Sequence, residues 1–129
     1  MRNHSVLILL LALFLATPSD ADMFLVKTND GPGFATPDEA AEVLENGIIL
    51  TFNALAALNV DGRILVGGLP VGTRTIYLIV EAPSHDEVDR MLRDLPAWGV
   101  FSWKVVPLQS IEGRAAMGRE ILASLKAGD

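Results

Sequence analysis

Cysteine is absent from the 129 residues, and the only histidines are His4 and His85. The first absence excludes disulfides, thiolate catalysis and thiolate metal sites. The second leaves no material for a multi-histidine metal site, since His4 lies in an N-terminal segment that we expect to be removed. A glycine-rich phosphate loop and a nucleophile elbow are also missing. We therefore expect neither a metal nor a cofactor.

Positive charge is scarce as well. Ten lysines and arginines face sixteen aspartates and glutamates, which gives a net charge of −6. Nucleic acids and anionic membrane surfaces need a basic footprint, so we expect no nucleic-acid partner. Half of the residues are hydrophobic, which is enough for the core of one small domain.

The N-terminus has the pattern of an export signal. Arg2 and His4 precede an apolar run over residues 6–16, and Pro18 then interrupts the pattern. The run has roughly eleven residues, whereas a bilayer-spanning helix needs about 20. We predict a signal peptide over residues 1–21, cleavage after Ala21, and a periplasmic or secreted protein without a stable membrane anchor. The alternatives are an uncleaved anchor and an internal start at Met23.

The remaining chain alternates strand and helix patterns. Short apolar runs predict strands at 23–27 and 63–69, and period-two alternation predicts strands at 73–81 and 100–107. The Gly67-Gly68 pair predicts a bulge or a close backbone approach in the second of these strands. With Thr36 and Ser84 as N-caps, helices are predicted at 37–58 and between Ser84 and Pro96, and a turn is predicted at Asp61-Gly62. The order β-α-β-β-α-β predicts an α+β, ferredoxin-like domain over residues 22–108, with a four-stranded antiparallel sheet. A further helix is predicted at 111–125, within a C-terminal extension over residues 109–129.

Two of these elements, one helix and one strand, have more apolar surface than packing against a single neighbouring layer would bury. The helix at 37–58 is apolar nearly all round, which indicates either a surface rich in small residues or a second contact with a partner subunit or a ligand cleft; we favour the contact. The strand at 73–81 is apolar on both sides. Since a ferredoxin-like unit has helices on one face only, we expect the other face to pack on a second copy.

The segment 81–108 (EAPSHDEVDRMLRDLPAWGVFSWKVVPL) resembles the muconolactone isomerase-like and YCII-related proteins. Its Ser-His-Asp-Glu helix start, Leu-Pro stop and Val-Val-Pro-Leu strand end occur in the order found in those families. The resemblance implies a dimeric α/β barrel, a homodimer or larger homo-oligomer, and a cofactor-independent isomerase that moves a proton in a small lactone. The helix at 37–58 lacks the histidine of the YCII-related proteins.

Candidate site residues come from the first helix and the clearest strand. Glu42 and Asn46 share a helix face, and Asn53 lies about two turns further along. A carboxylate beside amides suits proton transfer, so Glu42 is the catalytic candidate, with Asn46, Asn53 and Tyr77 as ligand-binding candidates. The alternatives are a solvated surface acid at Glu42, a structural role for Asn53, and dimer-core packing for Tyr77.

Two functions remain open. One is a cofactor-independent isomerase that acts on a small lactone or a similar molecule. The other is a non-catalytic domain of the same fold, which binds a small hydrophobic ligand or simply assembles as an oligomer.

Overall fold

The computed structural model describes residues 21–31 and 33–128. The predicted signal peptide, apart from Ala21, lies outside the described residues. Within them the elements follow the order expected for a ferredoxin-like unit, with one helix added at the C-terminus.

Four strands of the described residues form a single antiparallel sheet. They are β1 (Asp22–Thr28), β2 (Ile64–Gly68), β3 (Tyr77–Ala82) and β4 (Trp103–Leu108). Their order across the sheet is β2-β3-β1-β4, so β1 and β3 are central and both β2 and β4 are edges. This strand order is that of the split β-α-β arrangement, in which each helix connects two strands that are not consecutive neighbours in the sheet. The predicted ferredoxin-like fold is confirmed.

Within residues 33–128, three helices accompany the sheet. Helix α1 is continuous over Pro37–Val60, with α-helical turns at Pro37–Val43 and Ile49–Val60 and a π-helical stretch at Leu44–Ile48. Helix α2 covers His85–Arg93 and helix α3 covers Ile111–Ala127. Thr36 and Ser84 cap the first two as predicted, because each hydroxyl accepts a hydrogen bond from the amide three residues on.

One face of the sheet carries the hydrophobic core. Phe24, Val26, Leu78 and Val80 point from the central strands towards α1 and α2 and are almost fully buried. Each of these two helices packs one narrow buried stripe against this face: Thr51 and Leu55 from α1, and Val88 and Leu92 from α2. Thr51 also accepts a hydrogen bond from the Ala97 amide at 2.8 Å, which ties α1 to the loop after α2.

Among the described residues, α1 is the one helix whose length and composition would suffice to cross a membrane, with 24 residues and a mean hydropathy of 1.4 over its most apolar 18-residue stretch. In that stretch 11% of the residues are buried, namely Thr51 and Leu55, which pack α1 on the sheet.

Two predicted strand boundaries were wrong. The third strand begins at Tyr77 rather than at residue 73, because Thr73 is held in the preceding turn by hydrogen bonds to Pro70 O. The fourth begins at Trp103, because a 3-10 turn occupies Trp98–Val100. Of the two features predicted for the glycine pair, the close approach is found at Gly67, where a Cβ would lie 3.2 Å from the Tyr77 carbonyl. The bulge in β2 lies between Ile64 and Val66 instead.

Candidate ligand pocket and open sheet face

A pocket of about 210 Å³ lies between α1 and the end of the sheet where β3 begins. Its walls come from one helix and three loops, and nearly all of its lining is hydrocarbon. The lining residues are Gly31, Phe34, Leu44, Ile48, Phe52, Leu69, Thr73, Arg74, Ile76, Val100 and Phe101.

The π-helical stretch of α1 positions the helix wall of this pocket. A π turn holds one residue more than an α turn, so it shifts the phase of the residues before it. Leu44 and Ile48 consequently line the pocket together with Phe52, while Thr51 and Leu55 of the following α-helical turns contact the sheet. One helix thereby serves both the core and the pocket.

Arg74 is the one charged side chain among the described residues that line the pocket. Its Nε donates to the carbonyl of Gly31 at 2.8 Å, and its backbone amide donates to the Asp30 carboxylate at 3.3 Å. The Gly31 amide in turn donates to the Arg74 carbonyl at 3.2 Å. These contacts fix the base of the side chain, and no carboxylate of the described residues forms an ion pair with its guanidinium.

The predicted site residues do not come together in one cavity. Glu42, Asn46 and Asn53 are all exposed, and none of them lines the pocket beneath α1. Tyr77 lies on the far face of the sheet, where its side chain is 42% exposed and borders a shallow groove with Leu25 and Val66. Their assignment as catalytic or ligand-binding residues stays a prediction, to which this geometry adds no support.

Sequence reasoning missed the residues that do line the pocket. Phe34, Leu69, Arg74 and Phe101 come from loops that lie far apart in the chain. One local signal was available: the helix at 37–58 is apolar nearly all round, which indicated a second contact beyond the one with the sheet. That signal pointed to the correct helix, though not to the side of it that carries Leu44 and Ile48.

The sheet face opposite the helices is not covered by any of the described residues of the single chain. Strand pairing sets its side chains in three rows across the sheet, as the register places Lys27 between Tyr77 and Lys104, Leu25 between Ile79 and Val106, and Met23 between Glu81 and Leu108. The middle row is entirely apolar. One outer row carries two lysines directly opposite each other, and the other carries Glu81.

Comparison with solved structures gives a match to a 5-chloro-2-hydroxyhydroquinone dehydrochlorinase from Burkholderia phenoliruptrix, solved in complex with 2,5-dihydroxybenzoquinone. The TM-score is 0.52 at 24% sequence identity, over 70% of this chain and 96% of that one. This is the ferredoxin-like fold of the dimeric α/β-barrel proteins. The likeness at this identity concerns the fold.

No protein-family model matches the chain. No curated protein sequence matches it significantly either.

Proposed function

We propose that this chain is an exported domain of the dimeric α/β-barrel fold that binds a small hydrophobic molecule bearing one anionic or strongly polar group. The observation that carries the proposal is the pocket beneath α1, whose apolar lining holds a single charged side chain, Arg74. Ligand sites generally combine a mostly apolar wall with a few placed polar groups that fix orientation. The pocket has that composition.

The size of the pocket limits the ligand. An enclosed apolar cavity of about 150 Å³ holds one benzene molecule, whereas sites for drug-sized ligands run from roughly 300 Å³ upwards. The pocket, at about 210 Å³, therefore suits one ring with one or two small substituents. Phe34, Phe52 and Phe101 offer aromatic surfaces against which such a ring can pack.

Arg74 supplies the recognition of the substituent. A guanidinium presents five donors, and its Nε is already used on the Gly31 carbonyl. Its terminal nitrogens are the groups that can pair with a carboxylate or an enolate oxygen at the mouth of the pocket. The similar solved structure holds a small ring with oxygen substituents, 2,5-dihydroxybenzoquinone, which supports a ligand of this size.

Binding of benzoate and of benzamide tests this proposal, because the two have nearly the same shape and differ in charge. We expect calorimetry to show tighter binding of benzoate, with the preference lost in Arg74→Gln by a factor of about 10. Ile48→Phe, which fills the pocket, should weaken both ligands equally. Binding of neither ligand, or a benzoate preference that survives Arg74→Gln, would contradict the proposal.

A second candidate is the cofactor-independent isomerase, with Glu42 as the proton-transfer group. It is favoured by the similarity in fold to an enzyme that processes a small ring compound. Glu42 is exposed in the single chain, so the activity requires a partner subunit or a bound ligand to enclose it. Turnover of muconolactone that is lost in Glu42→Gln would support this function, and no turnover by the folded protein would exclude it for that substrate.

Homodimerisation through the open sheet face belongs to the same proposal. Lys27 and Lys104 lie opposite each other, which is unfavourable without a nearby anion. A two-fold axis running across the strands places this row against Glu81 of the second copy, and the apolar middle rows then meet. An axis along the strands would place four lysines together.

Export is the final part of the proposal and rests on the sequence of residues 1–21. N-terminal sequencing of the protein recovered from a secreting host tests it directly. We expect the recovered chain to begin at Asp22, after removal of the leader. An intact N-terminus on a membrane-bound protein would instead indicate an anchor, and a chain that starts at Met23 in the cytoplasm would indicate the internal start.

A further inference from the structure

Within the described residues, two helical surfaces are apolar and exposed and contribute no residue to the pocket beneath α1 or to the hydrophobic core. The first is the outer face of α1, made by Ile49, Leu50, Asn53, Ala56, Ala57 and Val60. The second is the α3 stripe, made by Ile111, Gly118, Ile121, Leu122 and Leu125. We infer that the α3 stripe of one copy docks antiparallel on the outer face of α1 of a second copy.

The α3 stripe has the pattern of a helix that packs along another helix. Ile111, Gly118 and Leu125 recur every seven residues, and Ile121 and Leu122 lie between the last two. This spacing keeps the five residues on one side of the helix, a side that also carries Arg114 between Ile111 and Gly118. Yet α3 buries none of its residues against the rest of the described chain, and Ile111 and Leu125 are 84% and 67% exposed.

The outer face of α1 offers a matching surface. From Gly47 to Val60 the helix contains no charged residue, and Ile49, Leu50 and Val60 are 52%, 47% and 89% exposed. Ala56 and Ala57 are small enough to let a second helix approach closely. A solvent-facing helix side normally carries charged residues, so this composition calls for a cover.

The two surfaces agree in register when the helices run antiparallel. The same number of residue steps separates Glu45 from Val60 and Ile111 from Lys126. That number of steps spans about 22 Å in the regular α-helix of α3 and less in α1, because the π-helical stretch at its start rises less per residue. Aligned in this way, three pairs of large apolar side chains meet: Val60 with Ile111, Leu50 with Ile121 and Ile49 with Leu122. The remaining pairs are Asn53 with Gly118, Asn46 with Leu125, Ala57 with Arg114 and Glu45 with Lys126.

Charge supports the antiparallel direction. The acidic residues of α1 are confined to its first half, where Glu42 and Glu45 are exposed, while α3 ends with Lys126. Antiparallel docking brings Lys126 to this acidic end and sets the two helix dipoles in opposition, which is favourable. Parallel docking would place Glu112 of α3 there instead.

The occupant is a second copy because a chain cannot dock its own α3 in this register. Only Gln109 and Ser110 join β4 to α3, so Ile111 lies within about 11 Å of Leu108. Val60 leads into β2 at the opposite edge of the sheet, three strand spacings or about 14 Å away, and on the far side of the helix layer. Two linker residues do not cover that path.

Disulfide trapping tests the interface cleanly, because the chain has no cysteine of its own. A full-length Asn53→Cys variant is mixed with a full-length Gly118→Cys variant under mild oxidation. We expect the mixed disulfide to be the main product by mass spectrometry. Ala123→Cys, which lies on the opposite side of α3, serves as the matched control and should give little mixed product with Asn53→Cys.

Equal trapping at positions 118 and 123 would mean random collision and would overturn the inference, as would the absence of a mixed product. Ile121→Glu provides a second readout. Because α3 buries nothing in its own domain, this change should lower the mass of the assembly measured by light scattering while leaving the unfolding curve of the domain unchanged. Ala123→Glu should do neither.

A lipid surface is the competing occupant and has its own outcome. If Ile121→Glu leaves the mass unchanged but releases the protein from phosphatidylglycerol vesicles, the stripe binds lipid and the inference is wrong. Glu81→Lys separates this interface from the sheet-face dimer, since it should leave trapping between positions 53 and 118 intact.

Discussion

The two faces of the sheet both carry apolar side chains along the central strands, but they have opposite surroundings. On the helix side, Phe24, Val26 and Val80 are at most 4% exposed. On the open side, Leu25 and Ile79 alternate with them along the same strands and remain partly exposed. A strand that is apolar on both sides therefore predicts that both faces of the sheet are covered. Its sequence does not indicate whether the same chain or a second copy covers each face.

The largest expected difference in the free energy of unfolding is between alanine substitutions at Leu78 and Ile79, two neighbouring residues of β3. Leu78→Ala removes a side chain from the helix-covered core and should cost about 2–5 kcal/mol of the free energy of unfolding. Ile79→Ala, on the open face, should cost roughly 1 kcal/mol or less in the dilute monomer. Urea denaturation at low protein concentration measures both. Equal losses would mean that the open face is already covered within one chain.

The second-largest effect is expected for the buried hydrogen bond between Thr51 and the Ala97 amide. Thr51→Val leaves the buried amide of Ala97 without its acceptor, so the free energy of unfolding should fall by about 1–3 kcal/mol. Thr51→Ser keeps the hydroxyl and is the control, with a smaller loss from the missing methyl group. If the valine variant proves as stable as the serine variant, then the hydrogen bond is not what holds α1 to this loop.

The two glycines of β2 allow the same comparison of the covered and open faces on an edge strand, because Gly67 pairs with Leu78 and Gly68 pairs with Tyr77. A Cβ at Gly67 would lie 2.6 Å from Leu78 Cδ2 and 3.2 Å from the Tyr77 carbonyl, whereas one at Gly68 would meet nothing within 4 Å. Gly67→Ala should therefore destabilise the fold by about 1–3 kcal/mol. Gly68→Ala should be nearly neutral by thermal unfolding, and a reversed order would refute this account of the close approach.

The smallest effect concerns the charges of the open face. Glu81→Lys should weaken the homodimer several-fold, or about 1 kcal/mol, because it adds a positive charge opposite the lysine row of the partner. Sedimentation equilibrium measures this, and salt should reduce the difference. Adding Lys27→Glu to the same chain should restore part of the affinity. A dimer insensitive to both changes would remove the argument for the axis across the strands.

The sequence was sufficient for the elements whose determinants are local. The hydroxyls of Thr36 and Ser84 cap their helices because the capping amide is three residues away in the same segment. The turn at Asp61-Gly62 ends α1 as expected, with Gly62 at a φ of 88°. Strand alternation gave the order of elements, and the order gave the fold.

The candidate site was not predictable in the same way, because its walls depend on tertiary contacts. Glu42 and Asn53 were placed on one side of a helix that is apolar all round, and no local pattern says which side faces the sheet. Arg74 gains its position from Asp30 and Gly31, more than forty residues earlier in the chain. Phe101 reaches the pocket only because a 3-10 turn delays the start of β4.

The π-helical stretch in α1 has a consequence for how the pocket can change. It amounts to one residue inserted into an otherwise regular helix, so its removal is a single-codon event. Without it, the first turns of α1 would rotate by about 100° relative to the sheet, and Leu44 would leave the pocket wall while Thr51 and Leu55 kept their places. Descendants of such a chain could exchange one pocket lining for another while inheriting the core unchanged.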